Sequence, residues 1–199
     1  MRRKTFDTLL SVTGLVLAAI LVIAGGLLTW GSTYVHNTVH NQLAAQQIYF
    51  PAASAFAHAK AGTEITPSMI PSVSQYAGQQ LLTGQQAEAY ADHFIAVHVA
   101  NMSGGKTYSQ LSAESIAQPA NTKLATLVNT VFKGESLRGM LLNAYGWWKV
   151  SQLLYIAALI SFGLAVLALA GSTTAIVRGR RAAPDAEAFP PVIKHPVNA

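Results

Sequence analysis

Two stretches of this chain contain no Asp, Glu, Lys or Arg, one between Asp7 and Lys60 and the other between Lys149 and Arg178. Inside the first lie residues 9–30, LLSVTGLVLAAILVIAGGLLTW, and inside the second residues 150–170, VSQLLYIAALISFGLAVLALA. Each matches the roughly 20 apolar residues that an α-helix, rising about 1.5 Å per residue, needs to cross a hydrocarbon layer about 30 Å thick. Two core helices of a soluble domain are the alternative. In a chain of 199 residues too little apolar mass remains to enclose both. A cleaved signal peptide is a second alternative for the first stretch. Its apolar run is longer than a signal core, and no small-x-small site follows Leu28.

The flanks set an orientation. Arg2, Arg3 and Lys4 precede the first stretch, and Arg178, Arg180 and Arg181 follow the second. The positive-inside rule puts both ends in the cytoplasm. Aromatic residues mark the opposite boundary: Trp30 and Tyr34 after the first span, and Tyr145, Trp147 and Trp148 before the second. Lys149 stands where its stem can reach back to the interface. The expected fold is therefore an all-α membrane protein at the cell membrane. Residues 1–8 are a cytoplasmic start and 9–30 the first transmembrane helix. Residues 31–149 form an extracytoplasmic helical-bundle domain, 150–177 the second transmembrane helix with its inner end, and 178–199 a proline-rich, disordered cytoplasmic tail.

The intervening segment reads as helical, with little strict alternation. The first span is expected to continue through His36, Val39, Leu43 and Gln47 to near Pro51. Residues 51–71 carry three prolines and Gly62 and read as an irregular connection. A helical stretch then begins near Ser72, with Val73, Tyr76 and Leu81 on one face. Thr83 is a plausible N-cap for a helix presenting Ala87, Tyr90, Ala91, Phe94, Val97 and His98, which Gly104 and Gly105 stop. A short helix covers Tyr108 to Ala117. Leu124, Leu127, Val128, Val131 and Phe132 fall at helical spacing on the next. Gly134 is expected to end that helix and Ser136 to cap a last one leading into the second span.

Composition narrows the chemistry. Charged residues make up 11% of the chain, against about 25% in an average soluble domain, and the net charge is +5. The absence of cysteine excludes disulfides, thiolate metal sites and cysteine nucleophiles. His36 and His40, four apart on one helix, are the candidate metal edge, but no acid lies within ten residues of them. Glu88 and Asp92 are also four apart and read as a solvated face rather than an acid–base pair. Ser103-Gly104-Gly105-Lys106-Thr107 resembles the end of a phosphate-binding loop, but Ala100 replaces the first glycine that such a loop needs, so it reads as a helix stop and restart. Gly14 and Ala18 in the first span, and Ala157, Ser161 and Ala165 in the second, repeat at spacing that lets helices approach closely. Arg138 is the only arginine between the spans and is expected to tie to Glu135 or to an acid on a neighbouring helix.

Several segments together resemble a group of two-span membrane proteins of actinobacteria. They are Gln46 to Pro51 (QQIYFP), Tyr76 to Leu81 (YAGQQL), Ala87 to Ala91 (AEAYA) with His93 to His98 (HFIAVH), Gly104 to Ser109 (GGKTYS), and Gly134 to Gly139 (GESLRG) with Leu142 to Tyr145 (LNAY). The resemblance implies the same topology over nearly the whole chain except the tail, and no particular activity. Members of that group are sometimes called aromatic ring-opening dioxygenases. That chemistry needs iron held by histidine and carboxylate ligands, and no such cluster is evident here.

The expected function is non-enzymatic: the external helices bind another protein, as an accessory subunit or envelope scaffold, with the bilayer as second partner and a homo-oligomer as an alternative assembly. No cofactor and no nucleic acid is expected. A ligand-binding or sensory module acting through a separate partner is the alternative. A metal enzyme built on His36 and His40 is the third reading.

Overall fold

The computed structural model describes residues 2–61, 63–183 and 186–188. The chain is all-helical, and among the described residues there is no strand, only two isolated bridges, Arg2 with Glu187 and Tyr49 with Gln80. The helices are α1 (Arg3–Ala45), α2 (Ala53–Ala57), α3 (Ile70–Val73), α4 (Gly84–Tyr90), α5 (Ala96–Ser103), α6 (Tyr108–Ala117) and α7 (Thr122–Arg181). Helices α1 and α7 each contain a segment long and apolar enough to cross a membrane. The chain divides into two compact units, residues 1–31 with 154–199, and residues 32–153.

In the first unit α1 and α7 run antiparallel, and small side chains line their contact. Asp7, Ser11, Ala18 and Gly25 are buried on α1, as are Ala158, Ser161, Ala165, Ser172 and Ala175 on α7. Ser11, Ala18 and Gly25 are spaced by sevens, and so are Ala158, Ala165 and Ser172. A seven-residue repeat of buried positions keeps one seam facing its partner when two helices supercoil slightly. Here the seam is narrow. A Cβ on Gly14 would meet Ser172 Oγ at 2.1 Å and the Ala168 carbonyl at 3.3 Å, and one on Gly25 would meet the Phe162 ring at 2.7 Å. Ser161 Oγ donates to the Leu21 carbonyl at 2.8 Å, so the one polar group mid-seam is satisfied. The large side chains point outward: Ile23, Leu27, Val166 and Leu167 are all more than 60% exposed. Of the small residues singled out from the sequence, Gly14 and Ala157 are half-buried while Ala18, Ser161 and Ala165 are buried, and Ala158 rather than Ala157 occupies the seam. The expected tail lies mostly outside the described residues. Residues 178–181, expected to belong to a disordered tail, instead form the last turn of α7, and farther on the Arg3 amide donates to the Ala186 carbonyl at 2.9 Å.

The second unit is a helical cluster around Leu43, Phe50, Met69, Leu81, Ala87, Leu111 and Val131. Its contributions from α1 and α7 continue the same spacing, with Ser32 and Val39 buried on one and Ser151 on the other, and Ser32 Oγ donates to the Ser151 carbonyl at 2.8 Å. Rings of Tyr76, Phe50, Tyr90, Phe94 and His98 form a continuous row of tilted and edge-on contacts, with successive centroids 5.1, 5.2, 4.7 and 4.5 Å apart.

Local expectations fare unevenly. Thr83 and Thr107 each cap a helix through a reciprocal box, accepting from the third-residue amides of Gln86 and Gln110 while those side chains accept from the cap amides. Gly104 stops α5 in the left-handed conformation, φ 62°. Helix α1, however, ends at Ala45, and Gln47 takes φ 52°, so the first helix stops short of Pro51. Residues 51–71 hold α2 and a 3₁₀ turn at Pro67–Met69 besides irregular chain. Instead of one helix from Ser72, there is α3 followed by a 3₁₀ turn, Ser74–Tyr76, and Leu81 lies on extended chain whose amide donates to the Ile48 carbonyl. Gly134 does not end a helix, and Ser136 does not start one: α7 passes through both without a break. A Cβ on Gly134 would lie 2.6 Å from Val99 Cγ2, so this glycine serves close packing of α5 on α7. Phe132, placed on the buried face by spacing, is 51% exposed and meets the Tyr108 ring at a tilt.

Candidate functional site

Between α4 and α5 the helix widens into a π-helical turn, Ala91–Ile95. Such turns admit one extra residue and recur at functional sites. Asp92 lies in this turn, and Arg138 of α7 meets it. Arg138 Nη2 and Nε donate to Asp92 Oδ1 at 2.9 and 3.1 Å, and Nη1 reaches Glu135 Oε2 at 3.4 Å. The guanidinium pKa is raised, chiefly by the hydrogen bond to Asp92, against an opposing effect of burial. Asp92 therefore leaves the solvated face expected of it with Glu88. Arg138 and Asp92 side chains are 34% and 35% exposed, so the pair is worth about 1 kcal/mol. A double-mutant cycle of Asp92→Asn and Arg138→Gln, read by thermal unfolding, should return a coupling of about that size. Strictly additive effects would show that the pair contributes nothing.

A polar crevice of about 570 Å³ adjoins this pair, lined among others by Ser103, Lys106, Thr107, Tyr108, Glu135 and Arg138. Its cations are already engaged, since Lys106 Nζ donates to both Glu114 carboxylate oxygens at 2.7 and 2.8 Å.

A second concavity, about 350 Å³, runs between the α1 and α7 portions of the same unit. Tyr34, Thr38, Gln42, Met140, Asn143 and Trp147 line much of it. Tyr34, Met140 and Trp147 are 62%, 70% and 53% exposed, so large apolar side chains stand at the lips. Trp148, one residue on, turns inward instead and packs its Cβ against Gly84. Lys149 Nζ lies over the rings of Tyr145 and Trp148, at 5.5 and 5.4 Å from their centroids. Trp30 is 68% exposed.

His36 and His40 are both exposed on α1. Among the described residues no group of three His, Cys, Asp or Glu side chains is placed to hold a metal ion. His93 is exposed, and His98 Nδ1 lies 2.8 Å from the Phe94 carbonyl.

Burial, reinforced by the charge of Glu64, raises the Tyr90 phenol above its ordinary pKa of 10.0. The unfolded chain thus loses this proton first, so the contribution of this phenol to stability is constant below about pH 10 and falls above it. Tyr90→Phe should flatten that alkaline decline in unfolding measurements between pH 9 and 11. An unchanged slope would show that the phenol does not govern it.

Sequence reasoning reached the Arg138 tie, to Glu135 or to an acid on a neighbouring helix, without naming Asp92, and it missed the Tyr34–Trp147 groove. Asp92 and Arg138 are 46 positions apart, and no local pattern pairs them. The groove did leave a signal in Tyr34, Gln42, Met140 and Trp147, which fall on outward faces of their two helices. No protein family, no curated protein and no solved structure matches the chain.

Proposed function

We propose that the chain is an integral membrane protein that crosses the bilayer twice, with both termini in the cytoplasm, and that its external helical unit docks a protein partner. Spans are supported by the seam: only small residues are buried, and Ile23, Leu27, Val166 and Leu167 point outward, as suits lipid as the surrounding solvent. The orientation rests on Arg2, Arg3 and Lys4 at one end and Arg178, Arg180 and Arg181 at the other.

The Tyr34–Trp147 groove carries the docking assignment. Exposed Tyr, Trp and Met at the lips of a groove are the side chains that dominate protein interfaces. Tyr34 follows Trp30 by one helical turn, and Trp147 precedes the second span by three residues, so the groove sits at the membrane's outer boundary. The fitting occupant is a helix of another membrane protein that extends beyond its own span. A photo-crosslinking residue at Met140 in the full chain should give one discrete protein adduct, lost in Trp147→Ala. Recovery of uncrosslinked monomer alone, or an adduct indifferent to Trp147, would overturn the assignment. Resistance of the chain to alkaline extraction from membranes tests the spans separately.

A further inference from the structure

At the Arg3 end of α1 and the Arg181 end of α7, within the first unit, lies a crevice of about 400 Å³ lined among others by Lys4, Asp7, Thr8, Ser11, Ile176 and Arg180. Asp7 is only 6% exposed. Its Oδ2 is buried and has no hydrogen-bond partner among the described residues. Gly179 closes one side, since a Cβ there would lie 3.2 Å from Asp7 Cβ. The nearby hydroxyls do not serve the carboxylate. Ser11 Oγ donates to the Thr8 carbonyl, and Thr8 Oγ1 to the Lys4 carbonyl. Neither Lys4 nor Arg180 forms an ion pair among the described residues. A buried carboxylate oxygen left without a donor is costly and calls for a ligand or an ion.

The charges restrict what fits. A bare cation would be opposed by Lys4 and Arg180, and a bare anion by Asp7. A zwitterion carrying a primary ammonium and a phosphate satisfies both. The volume lies in the range of small-molecule sites, roughly 300–1,000 Å³. We propose that this crevice binds a phosphoethanolamine group, with the ammonium donating to Asp7 Oδ2 and the phosphate held between Lys4 and Arg180, and that its source is an inner-leaflet aminophospholipid. The lipid source rests on the two-span reading above, which places this end of the helices at the cytoplasmic membrane surface. Ile176 and the exposed Leu9, Leu10 and Val177 beside it offer acyl chains an apolar path.

The test uses the full chain in mild detergent, with native mass spectrometry of bound lipid. Phosphatidylethanolamine should be retained roughly tenfold over phosphatidylcholine and phosphatidylglycerol of the same acyl chains, the difference of about one charge-assisted hydrogen bond. Stepwise N-methylation of the head group should erase the preference on the unaltered protein. Asp7→Asn should reduce phosphatidylethanolamine to the phosphatidylcholine level, and Lys4→Gln with Arg180→Gln should weaken it as well. Displacement of the lipid by free phosphoethanolamine would support the head-group chemistry with a soluble source, and retention against it would support the lipid. Equal retention of ethanolamine and choline lipids, or an Asp7→Asn variant that keeps the preference, would overturn the proposal. A chain that resists membrane extraction yet shows no preference fails here alone, whereas a chain released without detergent removes the two-span reading too.

Discussion

Gly84→Ala is expected to destabilise the second unit by about 2–3 kcal/mol and to lower its unfolding midpoint by roughly 5–10 °C. Gly84 is the first residue of α4, directly after the Thr83 cap, and it lies against Trp148. A Cβ there would stand 2.2 Å from Trp148 Cβ and 2.6 Å from its Cγ. Trp148 Cβ is fixed to the backbone and no rotamer change removes it, so α4 or α7 has to shift. The shift would also strain the reciprocal cap, in which Gln86 Oε1 accepts from the Leu82 and Thr83 amides at 2.8 and 3.0 Å. Gly139→Ala is the control. It lies within α7, and its added Cβ would meet nothing within 4 Å, so helix propensity alone should stabilise it by up to about 1 kcal/mol. Equal midpoints for the two variants, followed by tryptophan fluorescence, would remove the close contact as an explanation for this glycine.

The small-residue seam should be nearly as sensitive. Ala18→Leu and Ala165→Leu each place a large side chain where the native residue is 2% exposed. Each is expected to cost about 1–3 kcal/mol. The double variant should cost more than either but less than the sum, because one separation of the helices accommodates both. Ile20→Leu, on the exposed outer face of α1, should change little. Thermal unfolding in mild detergent distinguishes these outcomes, and an unaltered midpoint for the double variant would mean that α1 and α7 do not depend on close approach.

Parts of this architecture are legible residue by residue. Thr83 and Thr107 announce their helices because a hydroxyl with Gln three positions later satisfies amides that a helix start leaves open. Gly104 announces a stop because the left-handed conformation is strained for residues with a Cβ. Gly134 looks the same in sequence and acts differently. Its propensity cost of about 1 kcal/mol is outweighed by the packing of α5 that its missing Cβ permits. The same holds for the choice between Ala157 and Ala158. Adjacent positions on a helix differ by about 100° in direction, and composition does not say which faces the partner. The Asp7 crevice was also hidden, because an acid beside a basic N-terminus reads as ordinary surface charge until α7 covers it.

Sequence alone determined that this chain builds two long apolar helices and caps several shorter ones. Those features follow from local physics: the transfer of uncharged side chains out of water, and the hydrogen bonds of helix ends. Only the tertiary structure decided which of the many small residues form the seam, that α7 runs unbroken through Gly134, that Asp92 turns to Arg138, and that Asp7 is enclosed. Each of these depends on a surface supplied by another helix, and distant parts of the chain state no such surface until they pack together.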